Sequence, residues 1–228
     1  MVWGYVIVMA LFVCPNLVSL GHCPNHSMTK EDKIVGKALE LFNERGIEYV
    51  GLRELAATLG IRVGNITYYF ATKDDLVNRL AQDLSRLNEQ LVEKETLSLF
   101  SLLERFRLVF SHHVQYRCLL LSFVHLMEHN KVFSAGYKKT ERKRYSSLVA
   151  TVSILQASAY LSHKADTDFL VSVCTLTARF WLSEARLSFG HLSAPEQINH
   201  YVTLLAKLFL PHATPKGSVD VQRFLASL

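Results

Sequence analysis

The sequence predicts an all-α fold, and three observations carry that prediction. Glycine (10) and proline (5) are scarce in a chain of 228 residues. Apolar residues recur mostly at spacings of three and four, the period of a helix rather than of a strand. Half of the residues are hydrophobic and a fifth are charged, enough apolar material for a real core. The length fits one large domain, or a small domain joined to a larger one.

The helices follow in order. Ile34, Val35, Ala38, Leu41 and Phe42 share one face of a helix over 30–45. Thr29 and Asp32 form its capping box, and Gly46 ends it. A short helix fits 52–59, with Leu52, Leu55, Ala56 and Leu59 on one side, and Gly60 stops it. A third fits 62–69. Thr72 and Asp75 make a second capping box, opening a long helix striped by Leu76, Leu80, Leu84, Leu87 and Leu91. Further helices are expected at about 97–117, 119–130, 133–162, 166–189 and 194–210. Asp166 starts one of these, and the box Ser193-Ala-Pro-Glu196 starts another with proline in its first turn. A short helix after Pro211 closes the chain. No internal repeat or low-complexity segment is present.

Charge and cysteine usage narrow the function classes. The formal charge is +5, but residues 28–79 hold eight Lys/Arg and eight Asp/Glu. Any nucleic-acid contact in that segment therefore rests on the placement of a few cations and not on a bulk basic patch. Cys14, Cys23, Cys118 and Cys174 show neither zinc-ribbon nor CxxC spacing, which argues against a disulfide framework and for a reducing, cytoplasmic setting.

Residues 1–27 form a hydrophobic extension. The apolar run Val2–Cys14 is too short to span a bilayer, and the first basic residue is Lys30. A cleaved signal, a membrane tether and a start assigned too early all compete. The missing basic segment and the clean helix start after Met28 favour the last.

Two short helices joined at a glycine, with another helix packed against them, form the helix-turn-helix plan, over about residues 50–69. Ala56 permits a close crossing, Gly60 makes the turn, and Ile61 and Ile66 plug the small core. Arg62, Val63, Asn65 and Thr67 are then expected to point away from it. Asn, Thr and Arg on a helix that fits the major groove can read base edges or hold phosphate.

At this point the sequence resembles the TetR/AcrR family of transcriptional regulators. The resemblance runs over "KIVGKALELFNERGIEYVGLRELAATLGIRVGNITYYFATKDDL", residues 33–76. Glu40-Leu41-Phe42 with Gly46 matches the end of the family's first helix, and Leu55-Ala56 matches its second. Gly60-Ile61, Gly64, Ile66, Tyr69 and Phe70 match its recognition segment, and Thr72 through Leu76 echo the start of its fourth helix. Val50-Gly51 replace the usual hydroxyl cap of the second helix. Arg62 stands for the usual serine and Thr67 for the usual first tyrosine.

The resemblance implies an N-terminal three-helix DNA-binding domain, residues 28–76, and a C-terminal helical effector-binding and dimerisation domain, residues 77–228. It implies DNA contacts from Arg53, Arg62, Val63, Asn65, Thr67, Tyr69 and Lys73, with Phe70 packed inward. It also implies a homodimer on a double-stranded, palindromic operator, a repressor answering to a small-molecule effector, and no enzymatic activity. The helices at 166–189 and 194–210 are the expected dimer interface, with Phe180 and Trp181 on it.

Three other features compete. "HLMEH", His125 to His129, matches the H-x-x-E-H pattern, in which His125, Glu128 and His129 could bind zinc. No third ligand is identifiable in the sequence, so no metal and no cofactor is expected. "KKTERKR", residues 138–144, holds five cations and one acid and is expected to be a solvated helix face. The aromatics Phe106, Phe110, Tyr116, Phe123, Tyr137, Tyr145 and Trp181 are expected in the core. The alternative to a regulator is a membrane-tethered helical sensor using the first 20 residues.

Overall fold

The structure is a computed structural model that describes residues 29–92 and 97–228. The readings of residues 1–27 as signal, tether or early start lie outside the described residues.

Eleven α-helices follow one another among the described residues, and no strand does. They are α1 (Lys30–Arg45), α2 (Leu52–Leu59), α3 (Val63–Thr67), α4 (Lys73–Glu89), α5 (Leu99–Gln115) and α6 (Arg117–Leu121). Then come α7 (Phe123–His129), α8 (Lys131–Ala157), α9 (Thr167–Ser188), α10 (Ala194–Phe209) and α11 (Pro215–Leu225). Among the described residues, no helix is long and apolar enough to cross a membrane.

The capping boxes form as the sequence predicts. Thr29 with Asp32, and Thr72 with Asp75, satisfy the first orphan amides of α1 and α4, and Ser193 with Glu196 does so at α10. Each cap contributes about 1 kcal/mol. Gly51 opens α2 without any side-chain cap.

Three boundaries differ from expectation. The helix expected over 133–162 runs instead from Lys131 to Ala157. Ala159 takes a left-handed backbone (φ 57°), the Tyr160 amide donates to Leu155 O at 2.8 Å, and the Ala159 amide donates to Gln156 O. That is a Schellman ending made by alanine, so no glycine marked it in the sequence. Thr214 and Lys216, next to and within α11, donate to the carbonyls of Ala159 and Ser158 and hold the ending in place. The helix expected over 119–130 is broken at Ser122 into α6 and α7, again without a glycine or proline. The third helix is one turn shorter than expected.

Two cores result. One gathers α5, α8, α9, α10 and α11 around Phe110, Trp181, Leu205, Phe209 and Phe224. Gly217 of α11 sits where a Cβ would lie 2.0 Å from Tyr160 O, so only glycine lets α11 seat there. The other core joins α1–α4 and does not stop at α4: Tyr116, Cys118, Leu119, Phe123, Leu126 and Phe133 belong to it. Asn43 of α1 ties the same joint by hydrogen bonds. Its Nδ2 donates to Gln115 O at 2.8 Å and its Oδ1 accepts from the Cys118 amide at 3.0 Å, across the break between α5 and α6.

Candidate nucleic-acid interface and internal cavity

α2 and α3 meet at Gly60, whose left-handed backbone (φ 65°) lets the chain turn within one residue. Ile66 is fully buried and Phe70 nearly so. That anchoring leaves Arg62, Asn65, Thr67, Tyr68 and Tyr69 exposed on the outer side of α3, and Arg53 exposed on α2. Arg62 has an extended backbone and makes no cap hydrogen bond with its side chain, so its guanidinium is not spent on the helix.

Two expected contact residues sit differently. Val63, expected to point outward, is partly buried and packs against the head core, because a five-residue helix has too few turns to hide only its isoleucine. The Lys73 Nζ donates to Ile47 O at 2.9 Å. It ties the α1–α2 loop to α4, and its remaining N–H groups are what an outside partner would meet.

The sequence reading passed over three residues of this face. Lys30 and Lys33 of α1 line a cleft of about 610 Å³ with Asn65, Tyr68 and Tyr69. Tyr68 is 82% exposed and meets Tyr69 edge-on, ring centroids 5.0 Å apart. The signal for the lysines was the first turn of α1, which carries them on its outer side.

The neutral total of residues 28–79 conceals an uneven arrangement of charge. Glu54 pairs with Arg45, Glu40 with Lys37, and Glu31 with Arg79, while Asp32 and Asp75 serve in caps. Among the described residues, Lys30, Lys33, Arg53, Arg62 and Lys73 enter no ion pair, and neither do Glu44, Glu48 and Asp74. Lys30 and Lys33 flank the cleft with Asn65, while Arg53 and Arg62 are exposed on α2 and at the start of α3, cations that a polyanion could meet.

A cavity of about 1230 Å³, open in part to solvent, lies behind the head, walled by α4, α5, α8 and α9 with Leu119 and Leu120 of α6 and Phe123 of α7. Phe106, Val109, Leu120 and Phe123 give it an apolar wall, while Asn78, Thr151 and Thr175 supply polar groups. Leu119, Phe123 and Phe133 line the cavity and also belong to the head core. Of "KKTERKR", Glu141, Lys143 and Arg144 line the cavity as well, so that run is not solely a solvated face.

At the cavity wall the Trp181 Nε1–H donates to His113 Nδ1 at 3.1 Å. Burial, with smaller contributions from the nearby Arg144 and His112 charges, pulls the His113 pKa from 6.5 down to about 3. The folded imidazole stays neutral, and below pH 6.5 the unfolded chain takes the proton first. His113 therefore contributes stability that is complete above about pH 6.5 and lost as pH falls toward 3, about 1.4 kcal/mol per unit. Between pH 7 and 5 denaturant midpoints should drop by the equivalent of about 2 kcal/mol. His113→Gln, whose Oε1 can still accept from Trp181, should flatten that slope.

The remaining expectations divide. Phe110, Tyr116, Phe123 and Trp181 are buried, but Tyr145 is 41% exposed. Trp181 cannot belong to a subunit interface as expected: it is 2% exposed and stacks on Phe110 at 4.7 Å. Phe180, one residue away, is at the surface. His125 and His129 stack on each other with ring centroids 4.4 Å apart, and His129 Nδ1 meets the His125 carbonyl at 3.0 Å. Among the described residues, no three His, Cys, Asp or Glu side chains gather where they could hold a metal ion.

Known proteins can be set beside this geometry. The family described as bacterial regulatory proteins, tetR family, matches residues 34–80. The family described as TetR, bacterial transcriptional repressor, matches residues 79–221. A probable HTH-type transcriptional regulator, YttP, of Bacillus subtilis (strain 168) is 34% identical over 56 residues. That match covers 25% of this chain and 27% of that protein, so the chain matches about a quarter of its curated relative's length. A TetR-family transcriptional regulator from Marinobacter aquaeolei VT8 superposes with a TM-score of 0.79 at 19% identity, covering 88% of this chain and 98% of that one. The ketosteroid transcriptional regulator KstR2 of Mycobacterium tuberculosis gives 0.62 at 19% identity, covering 83% and 97%. These structural likenesses establish the fold. The two family matches together span both cores, and this chain belongs to the TetR family of bacterial transcriptional regulators.

Proposed function

We propose that the protein is a cytoplasmic, homodimeric repressor that binds a palindromic operator and is released by a small-molecule effector. The observation that carries the DNA reading is the outer face of α2 and α3. There, Arg53 and Arg62 are exposed and outside any ion pair among the described residues, Asn65, Thr67 and Tyr69 are exposed, Lys30 and Lys33 share a cleft with Asn65 and Tyr69, and Ile66 anchors the helix from behind. Cations of this kind hold phosphates, and a helix-borne asparagine reads an adenine edge. Val63 adds apolar contact at the margin of the same face, and Lys73 offers a phosphate the N–H groups that Ile47 leaves open.

The dimer reading rests on α9. Phe169, Leu176, Phe180 and Leu187 are exposed and recur at helix spacing, a continuous apolar stripe along one side of the helix, with Leu204 exposed on α10. Two such surfaces facing each other would set the separation of the two α3 helices, each in one of two successive major grooves. The effector would act from the cavity. Leu119, Phe123 and Phe133 face both the ligand space and the head core, and Asn43 fixes α1 to the α5–α6 break. A ligand that favours one packing of this joint shifts operator affinity by its differential binding to the two states.

Selection of bound genomic fragments with the full chain tests the reading. Arg62→Ala should weaken binding about tenfold without changing the preferred sequence, whereas Asn65→Ala should relax preference at one position of each half-site. Lys73→Ala should weaken binding and also loosen the α1–α2 loop. Specific binding unaltered in all three variants would overturn the site.

A further inference from the structure

We propose that the cavity takes an amphipathic organic anion, its head held by Arg144 and the Nε2–H of His113 and its apolar body against Phe106, Leu120 and Phe123. This rests on the reading of the cavity as the effector site and names the chemistry of that effector.

The donor at His113 follows from valence. An indole N–H can only donate, so Nδ1 of His113 accepts from Trp181 and the neutral ring carries its proton on Nε2. Among the described residues no protein group accepts that proton. Nor is Nε2 one of the sealed, partnerless polar atoms, which are Asn130 Nδ2 and Tyr201 Oη. The residue lines the cavity, which leaves this N–H donor available to a ligand there.

The charge balance gives the sign of the ligand. Of the cavity's cations, Arg79 pairs with Glu31 and Asp83, Arg86 with Asp83, and Arg179 with Glu141. Among the described residues Arg105, Lys143 and Arg144 enter no ion pair, and Glu89 is the one carboxylate of the lining left to face them. Arg144 lines the cavity with its side chain exposed, donates to Thr140 Oγ1 at 3.3 Å, and places its guanidinium carbon 5.6 Å from the centre of the Tyr137 ring. A guanidinium that enters no ion pair keeps N–H donors that a carboxylate can take in charge-assisted hydrogen bonds. A small net excess of positive charge suits a monoanion such as a carboxylate better than a polyphosphate. The apolar part of the lining needs a hydrocarbon body, and about 1230 Å³ is ample for one.

Calorimetric titration of the full chain with decanoate, decan-1-ol and decylammonium tests this. Decanoate should bind about tenfold tighter than decan-1-ol, with decylammonium weakest. Arg144→Ala should bring decanoate down to the alcohol and leave the alcohol unchanged. Arg144→Lys, which keeps the charge, should retain most of the preference, separating lost charge from lost fold. Equal binding of acid and alcohol, or tighter binding of the amine, overturns the anion while leaving the cavity a ligand site. A preference that survives Arg144→Ala overturns the role of Arg144. No heat from any of the three overturns both the anion and the cavity reading.

Discussion

Trp181→Ala should lower the stability of the protein by about 4 kcal/mol, a large part of what a domain of this kind possesses. The indole is 2% exposed, stacks on Phe110 at 4.7 Å and lies against Tyr201. Removing it leaves a large cavity and strips His113 of the donor that fixes its tautomer. Urea denaturation followed by circular dichroism should show a much lower midpoint. A shift equivalent to less than about 1 kcal/mol would mean that the core closes over the gap.

The double change Leu176→Glu with Phe180→Glu should act chiefly on assembly, destroying the dimer at a smaller cost in fold stability, since Phe180 still meets Phe123 edge-on at 6.2 Å. Both side chains are at the surface, 58% and 36% exposed, on the stripe proposed as the subunit interface. Four new carboxylates at the centre of that interface would face one another without counterions, a cost of several kcal/mol to association. Sedimentation should give a monomer. Operator affinity should fall about 100-fold, because a dimer gains its second half-site contact at high effective concentration and a monomer does not. A stable dimer in this variant would move the interface elsewhere. Phe180 and Trp181 are adjacent in sequence but a third of a helical turn apart, which is why one belongs to the surface and the other to the core.

The head was the most legible part of the sequence. Capping boxes, glycine stops and the apolar period are local signals, and they located α1, α2 and α4 because local chemistry and tertiary packing agree there. The C-terminal half was less legible for physical reasons. Its breaks at Tyr116, Ser122 and Ala159 involve no glycine or proline. Those at Tyr116 and Ala159 are held by distant partners, Asn43 and Thr214, which no window of sequence contains. Trp181 was misplaced because α9 is apolar on several sides, so composition alone cannot divide core from interface. In the candidate site, the residues around Gly60 followed from motif spacing. Lys30, Lys33 and Tyr68 emerged only when α1 and α3 were seen to share a cleft. Arg144 was legible as a charge but not as a cavity charge, because that needs α4, α5, α8 and α9 together.

The salt dependence of operator binding tests the central claim, that the exposed face of α2 and α3 grips DNA through a few placed cations. Binding of a selected operator fragment to the full chain should weaken linearly on a log–log plot against salt. Arg53→Ala and Arg62→Ala should each reduce the slope by about one per protomer, about two for the dimer, as each releases one phosphate contact. A slope and an affinity unchanged in both variants would contradict the account.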